Sequence, residues 1–259
     1  MRILKLWLIY CFLAGFGPAL ASEQDYSELF EAAVESVTWD IKDNWAFTET
    51  TSGSDGDHAA RYDPRLPEGE RWILLSVDGR EPTAEEAAEF LKSKSEELLD
   101  EDFDEDVDAD QDDGNGKDID SMVDPGTLQL LKETDDYWLL SFVPTDDDSD
   151  DDDAEVGRKM LESMSGTVKI AKDGEYLVFI DIHNTKPLRP KVGVKMKEFL
   201  TRLEFGPAIA DGPIVMKSMD IVVKLSAFLV IRVNERESVR FTDFEFAGTP
   251  GSTVGLKQD

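Results

Sequence analysis

The chain is short of cysteine, histidine and positive charge. Its 259 residues include one cysteine, two histidines and 27 lysines and arginines against 57 acids. Each shortage excludes a class of function. Cys11 lies in the N-terminal apolar segment, so the rest of the chain has neither a disulfide framework nor thiol chemistry. Tyr10 precedes Cys11, which is not the small residue a lipoprotein cysteine follows. His58 and His183 stand far apart, no metal-ligand spacing is visible, and no metal or cofactor is expected. A net charge of −30 speaks against nucleic acid, because phosphate would be repelled. Long apolar runs are also missing after the N-terminus. The most apolar later stretch, Ile221 to Val233, is broken by Lys224 and Arg232 and reads as paired strands, so no transmembrane segment is expected there.

What is present begins with Met1 to Ala21, which reads as a cleavable secretory signal. Arg2 and Lys5 form a basic start, Leu6 to Gly17 an apolar core, and Ala19-Leu20-Ala21 a small-x-small exit. Pro18 and Gly17 break the apolar stretch, which is shorter than a spanning helix needs. The expected location is periplasmic, with no lipid anchor.

The acids are concentrated. Glu96 to Asp124 holds 15 acids and one base, Lys117; Asp146 to Glu155 holds 8 acids and no base. Like charges at this density repel and bury nothing, so solvated or disordered insertions are expected at about 99–124 and 145–154. Asp108, Asp110 and Asp112 have calcium-loop spacing. However, the sixth and twelfth positions hold Asp113 and Ile119, where an EF-hand needs glycine and glutamate. Plain solvation or weak divalent binding is the better reading.

Between these runs the periodicities change. Tyr26, Leu29, Phe30, Ala33, Val34 and Val37 recur at helical spacing. Trp45 to Thr51 alternates as a strand. His58 falls in a Gly/Ser/Asp-rich loop, and Arg61-Tyr62-Asp63-Pro64 reads as turn chemistry. Arg71 to Val77 is an apolar strand closed by Asp78-Gly79. Thr83 and Glu86 form a capping box that opens a helix to about Leu99. Thr127 to Glu133 and Tyr137 to Val143 form a hairpin, and Glu155 to Met164 a short helix. Strands follow over 166–171, 176–184, 192–205, 214–224, 226–234 and 237–246, with Asn234-Glu235-Arg236 as one of the turns. Short links between successive strands imply antiparallel neighbours. The expectation is one α+β domain over 22–247, rich in antiparallel strand, with a frayed tail at 248–259.

Little here points to catalysis. Asp181 and His183 with some serine could in principle form a triad. No G-x-S-x-G elbow occurs, and Gly251 to Gly255 is not one, so His183 reads as a polar strand end. Carboxylates are so abundant that a pair of them carries no information. The chain reads as a non-enzyme. Trp45, Phe47, Trp72, Leu74, Trp138, Leu140, Phe142 and Phe179 recur at period two on strands, and Phe199, Leu203, Phe205, Phe228, Phe244 and Phe246 follow. Two uses are open to the first eight: core packing, or lining a cavity for an apolar ligand.

The layout resembles the LolA/LolB-like superfamily of periplasmic lipoprotein carriers: a signal, an N-terminal helix, Trp45-x-Phe47 on a first strand, Trp72 in a hairpin, a further helix, then a run of amphipathic strands. The closing strands, Val215 to Ile221 and Val239 to Phe246, are like that group's final meander. Arg61-Tyr62-Asp63-Pro64 through Pro82-Thr83 also resembles an uncharacterised group of proteobacterial exported proteins. The resemblance implies a large curved antiparallel β-sheet, a half-barrel, covered by a few helices. It also implies a cavity for a lipid or the acyl chain of a lipoprotein. The other expectation is an envelope protein whose acidic loops bind a cationic partner or divalent ions.

Overall fold

The computed structural model describes residues 25–54, 56–103, 119, 122–145, 160–189, 193–227 and 231–248. The signal segment, the acidic residues 104–118 and 146–155, and the tail beyond 248 lie outside the described residues. So does the first half, 155–159, of the helix expected over Glu155 to Met164.

Among the described residues ten strands form a single antiparallel open sheet. They are β1 (Trp45–Gly53), β2 (Gly56–Tyr62), β3 (Trp72–Val77), β4 (Gln129–Glu133), β5 (Tyr137–Phe142), β6 (Met164–Ala171), β7 (Leu177–Asn184), β8 (Val194–Pro207), β9 (Ile214–Ala227) and β10 (Ile231–Phe246). Their order is β3-β2-β1-β10-β9-β8-β7-β6-β5-β4. Every sequential pair joined by a short link is a neighbour, as closely connected strands must be. The exception is β1 beside β10, where Trp45 pairs with Phe246 and Ser52 with Ser238. That pairing leaves β3 and β4 as the two edges of a curved half-barrel.

Paired residues in a ladder point to the same side of a sheet. One row crosses all ten strands: Val77, His58, Thr51, Val239, Met219, Leu203, Ile180, Val168, Leu140 and Leu130. This row defines the inner face, which the helices cover. α1 (Ser27–Glu35) buries Phe30, Ala33 and Val34, spaced three and four apart, against Leu140, Val168, Ile180 and Leu203. A one-turn helix, α2 (Ile41–Asn44), leads into β1. α3 (Ala84–Phe103) lies over β1–β3 through Phe90, whose ring meets Trp72 edge-on at 6.2 Å. Its N-terminus is the expected capping box. Thr83 N donates to Glu86 Oε2 at 2.8 Å, and Glu86 N donates back to Thr83 Oγ1 at 3.3 Å. No helix among the described residues is long and apolar enough to cross a membrane.

Three sequence expectations are corrected. Gly56–Tyr62 is strand β2, so His58 and Tyr62 are not in a loop and a turn. Small and polar residues hide its alternation, and pairing with β1 on one side and β3 on the other enforces the strand. The turn at Asn234-Glu235-Arg236 is absent, because these residues continue β10 opposite Lys224, Val223 and Val222. β9 likewise runs unbroken to Ala227. The first acidic run belongs to the fold at both of its described ends. It begins on α3, and beyond residue 118 Ile119 and Val123 are buried in the α1 cluster.

Candidate functional site

The inner face divides into three regions. Over β1–β3, Phe47 stands at the centre of an aromatic cluster. Its ring stacks on Tyr62 at 5.2 Å and meets Trp72 and Phe241 edge-on at 5.9 and 5.6 Å. Trp45, Phe47, Trp72 and Leu74 are all buried here. Trp72 is 8% exposed, so a charge placed there would report on folding rather than on binding. Burial raises the Tyr62 hydroxyl above its ordinary value. Burial also lowers Lys217, whose Nζ lies 4.3 Å from the Phe244 ring centre.

The second region, over β5–β8, holds Leu140 and Phe142 beneath α1. Trp138 is half-buried against it, with the Lys172 ammonium 4.7 Å from its ring centre. Phe179 is elsewhere. It pairs with Glu204 on the outer face, and the Arg202 guanidinium lies 4.3 Å over its ring. The eight aromatic and aliphatic candidates therefore fall into two separate inner clusters and one outer position.

The third region is the far half of β8–β10. Here Phe199 pairs with Val223 and Thr201 with Ile221; Leu225 pairs with Met196 on one side and Val233 on the other. These side chains continue the inner face. Ile221, Val223, Leu225 and Val233 are half-buried and belong to neither core cluster. Glu235 and Glu237 border the strip on β10, opposite Val223 and Ile221. Its sequence signal was present: Met219, Ile221, Val223 and Leu225 alternate with Asp220, Val222, Lys224 and Ser226. Alternation alone does not say whether a helix covers the apolar face.

Two polar features interrupt the apolar surface. Glu49 is buried on β1, with the Lys94 ammonium of α3 3.4 Å from its Oε1 and 4.8 Å from the Trp72 ring centre. Nearby, a cavity of about 180 Å³ opens between α3 and the β2–β3 hairpin, lined by His58, Leu74, Val77, Glu86, Glu89 and Phe90. Glu86 is already engaged. The Arg80 guanidinium first, and Thr83 second, hold its carboxyl down at about 2. No group of three or more metal-ligating side chains is assembled among the described residues.

The outer face is a ladder of ion pairs. Arg202 bridges Glu204 at 2.9 Å and Asp181 at 3.7 Å, and Arg240 reaches Asp220 at 3.8 Å. His183 Nδ1 and Asp181 Oδ1 are 2.8 Å apart, and Ser165 is the cross-strand partner of His183. Catalytic triad chemistry would need a serine hydroxyl on the other ring nitrogen and donors for an oxyanion. Among the described residues His183 has no such second partner. No family model matches the chain, and neither a curated protein nor a solved structure matches it.

Proposed function

We propose that the protein is a non-enzymatic binder of an apolar ligand, such as a lipid or an acyl chain, held on the inner face of β8–β10. The observation that carries this reading is the strip of Ile221, Val223, Leu225 and Val233, which continues the sheet's apolar face from Phe199, at the margin of the α1-covered cluster, beyond both clusters. A ligand that removes about 200 Å² of apolar surface from water gains about 5 kcal/mol before ordering costs. The layout's resemblance to the LolA/LolB-like carriers, and the secretory signal read in the sequence, favour a periplasmic carrier of this kind as an analogy.

The test is a substitution in the strip rather than in the core. Val223→Glu places a carboxylate among the apolar residues at a half-buried position. A fluorescent fatty acid titrated into wild-type protein should bind, and the variant should lose at least tenfold in affinity with an unchanged urea midpoint. Equal affinity of the two proteins would remove the strip as the site. A wild-type protein that does not bind, and whose detergent-free extract holds no lipid, would remove the carrier reading itself.

A further inference from the structure

The chain's acidity hides a basic region. From Thr185 to Lys197 the sequence holds five bases, Lys186, Arg189, Lys191, Lys195 and Lys197, and no acid. This stretch connects β7 to β8, and the ladder adds to it from distant positions. Ser226 pairs with Lys195 on one side and Arg232 on the other. Val222 likewise stands between Leu200 and Arg236. Lys195, Arg232 and Arg236 therefore share the outer face at one end of β8–β10. The acid on that face beyond the Arg202–Asp220 row is Glu198, which is committed to Lys224 at 2.6 Å.

The contrast with the middle of the sheet is informative. There, Arg202 is paired with Asp181 and Glu204, and Arg240 with Asp220. At the end, the side chains of Lys186, Arg189, Lys195, Arg232 and Arg236 are exposed and make no ion pair among the described residues. The same end is also apolar. Val194, Ala227 and Ile231 form the last cross-strand row of the inner face, and Ile231 is 55% exposed. Exposed bases with no acid partner among the described residues, around an exposed aliphatic side chain near the strand tips, match the chemistry of an interface between water and anionic lipid.

We propose that this end of β8–β10 docks on the surface of a bilayer containing anionic phospholipid. Screening makes the proposal compatible with a charge of −30, because at a Debye length of about 8 Å contact depends on local charge. Each base brought to an anionic surface raises partition by about fivefold. The inference goes beyond the ligand reading and stands apart from it, since it concerns the outer face and the strand tips. If both hold, the apolar strip opens toward the phase from which a lipid would come.

The experiment is co-sedimentation of the full chain with sucrose-loaded vesicles, either mixed phosphatidylglycerol and phosphatidylcholine or phosphatidylcholine alone. Wild-type protein should partition onto the mixed vesicles at 50 mM salt and be released at 500 mM, and it should ignore phosphatidylcholine. Lys195→Glu with Arg232→Glu and Arg236→Glu should lower partition at least tenfold. The milder triple change to Gln guards against misfolding and should lower it several-fold. Lys132→Glu, on edge strand β4, should change nothing. Absence of wild-type partition onto anionic vesicles overturns the proposal, as does partition that survives the triple reversal. Partition that emerges only after Asp146 to Glu155 is deleted also overturns it, and would assign the basic face to the chain's own acidic run.

Discussion

Replacing Gly166 by Ala tests how tightly the second inner cluster is built. Gly166 on β6 pairs with Phe142 on one side and Ile182 on the other. The Phe142 ring lies flat across it. A Cβ added to Gly166 would stand 2.1 Å from the ring's Cζ and 2.2 and 2.4 Å from its two Cε atoms. Ordinary carbon contacts are about 3.5–4.0 Å, so the ring or the strand must move by about 1.5 Å. Phe142 is 3% exposed and enclosed by the cluster, so the displacement meets packed neighbours. Overpacking of this kind costs about 1–3 kcal/mol. An opposing term is the reduced freedom of the unfolded chain, which favours Ala over Gly in a strand by about 0.5–1 kcal/mol. Urea titration should therefore show Gly166→Ala destabilised by about 0.5–2 kcal/mol, with an unchanged denaturant slope. In a Phe142→Ala background, itself lowered by about 3–5 kcal/mol, the ring is gone and only the opposing term remains. There the same change should be neutral or stabilising. Equal effects in both backgrounds, within about 0.5 kcal/mol, would refute the close approach of ring and glycine.

Two further outcomes follow from α3. Glu86 has its folded value depressed to about 2 by Arg80 and Thr83, so the stabilisation it gives is present above its ordinary 4.5 and is lost as pH falls toward 2. Amide protection over the first turn of α3 should fall across that window in wild-type protein and not in Glu86→Gln; parallel profiles would show that the capping box does not hold the helix start. Lys94→Met keeps an aliphatic stem on Trp72 but removes the ammonium facing buried Glu49, and should cost about 1–3 kcal/mol. Adding Glu49→Gln should recover part of that loss, and a Lys94→Met variant as stable as wild type would show that the pair contributes nothing.

The residues recognisable in advance were those whose signal is local. The Thr83–Glu86 box, the helical spacing of Phe30, Ala33 and Val34, and the Asp78-Gly79 turn depend on neighbours a few positions away. β2 and the Asn234-Glu235-Arg236 stretch of β10 were hidden for one reason. Their side chains are small, polar or charged, and their strand character comes from main-chain bonds to both neighbours. The aromatic candidates were correctly placed on strands, but period two does not say which strands share a cluster. Trp45, Phe47 and Trp72 meet one another; Leu140 and Phe142 meet α1; Phe179 faces the other side. The basic face at the end of β8–β10 was half visible, as an acid-free run from Thr185 to Lys197. Arg232 and Arg236 join it only through the ladder.

The sequence by itself determined the class of the molecule: antiparallel strands joined by short links, a few helices, no disulfide, and no apolar run after the N-terminus long enough to span a bilayer. Those properties follow from local alternation, turn chemistry and composition. Tertiary structure decided the rest. The pairing of β1 with β10 brings Trp45 to Phe246 from opposite ends of the described chain, and it fixes which strands become edges. Pairing is carried by main-chain groups that every residue possesses, so the alternation within one strand does not by itself name a partner distant in sequence. That choice separates the two helix-covered clusters from the half-buried strip and gathers bases that make no ion pair among the described residues at one end of a chain that is acidic as a whole.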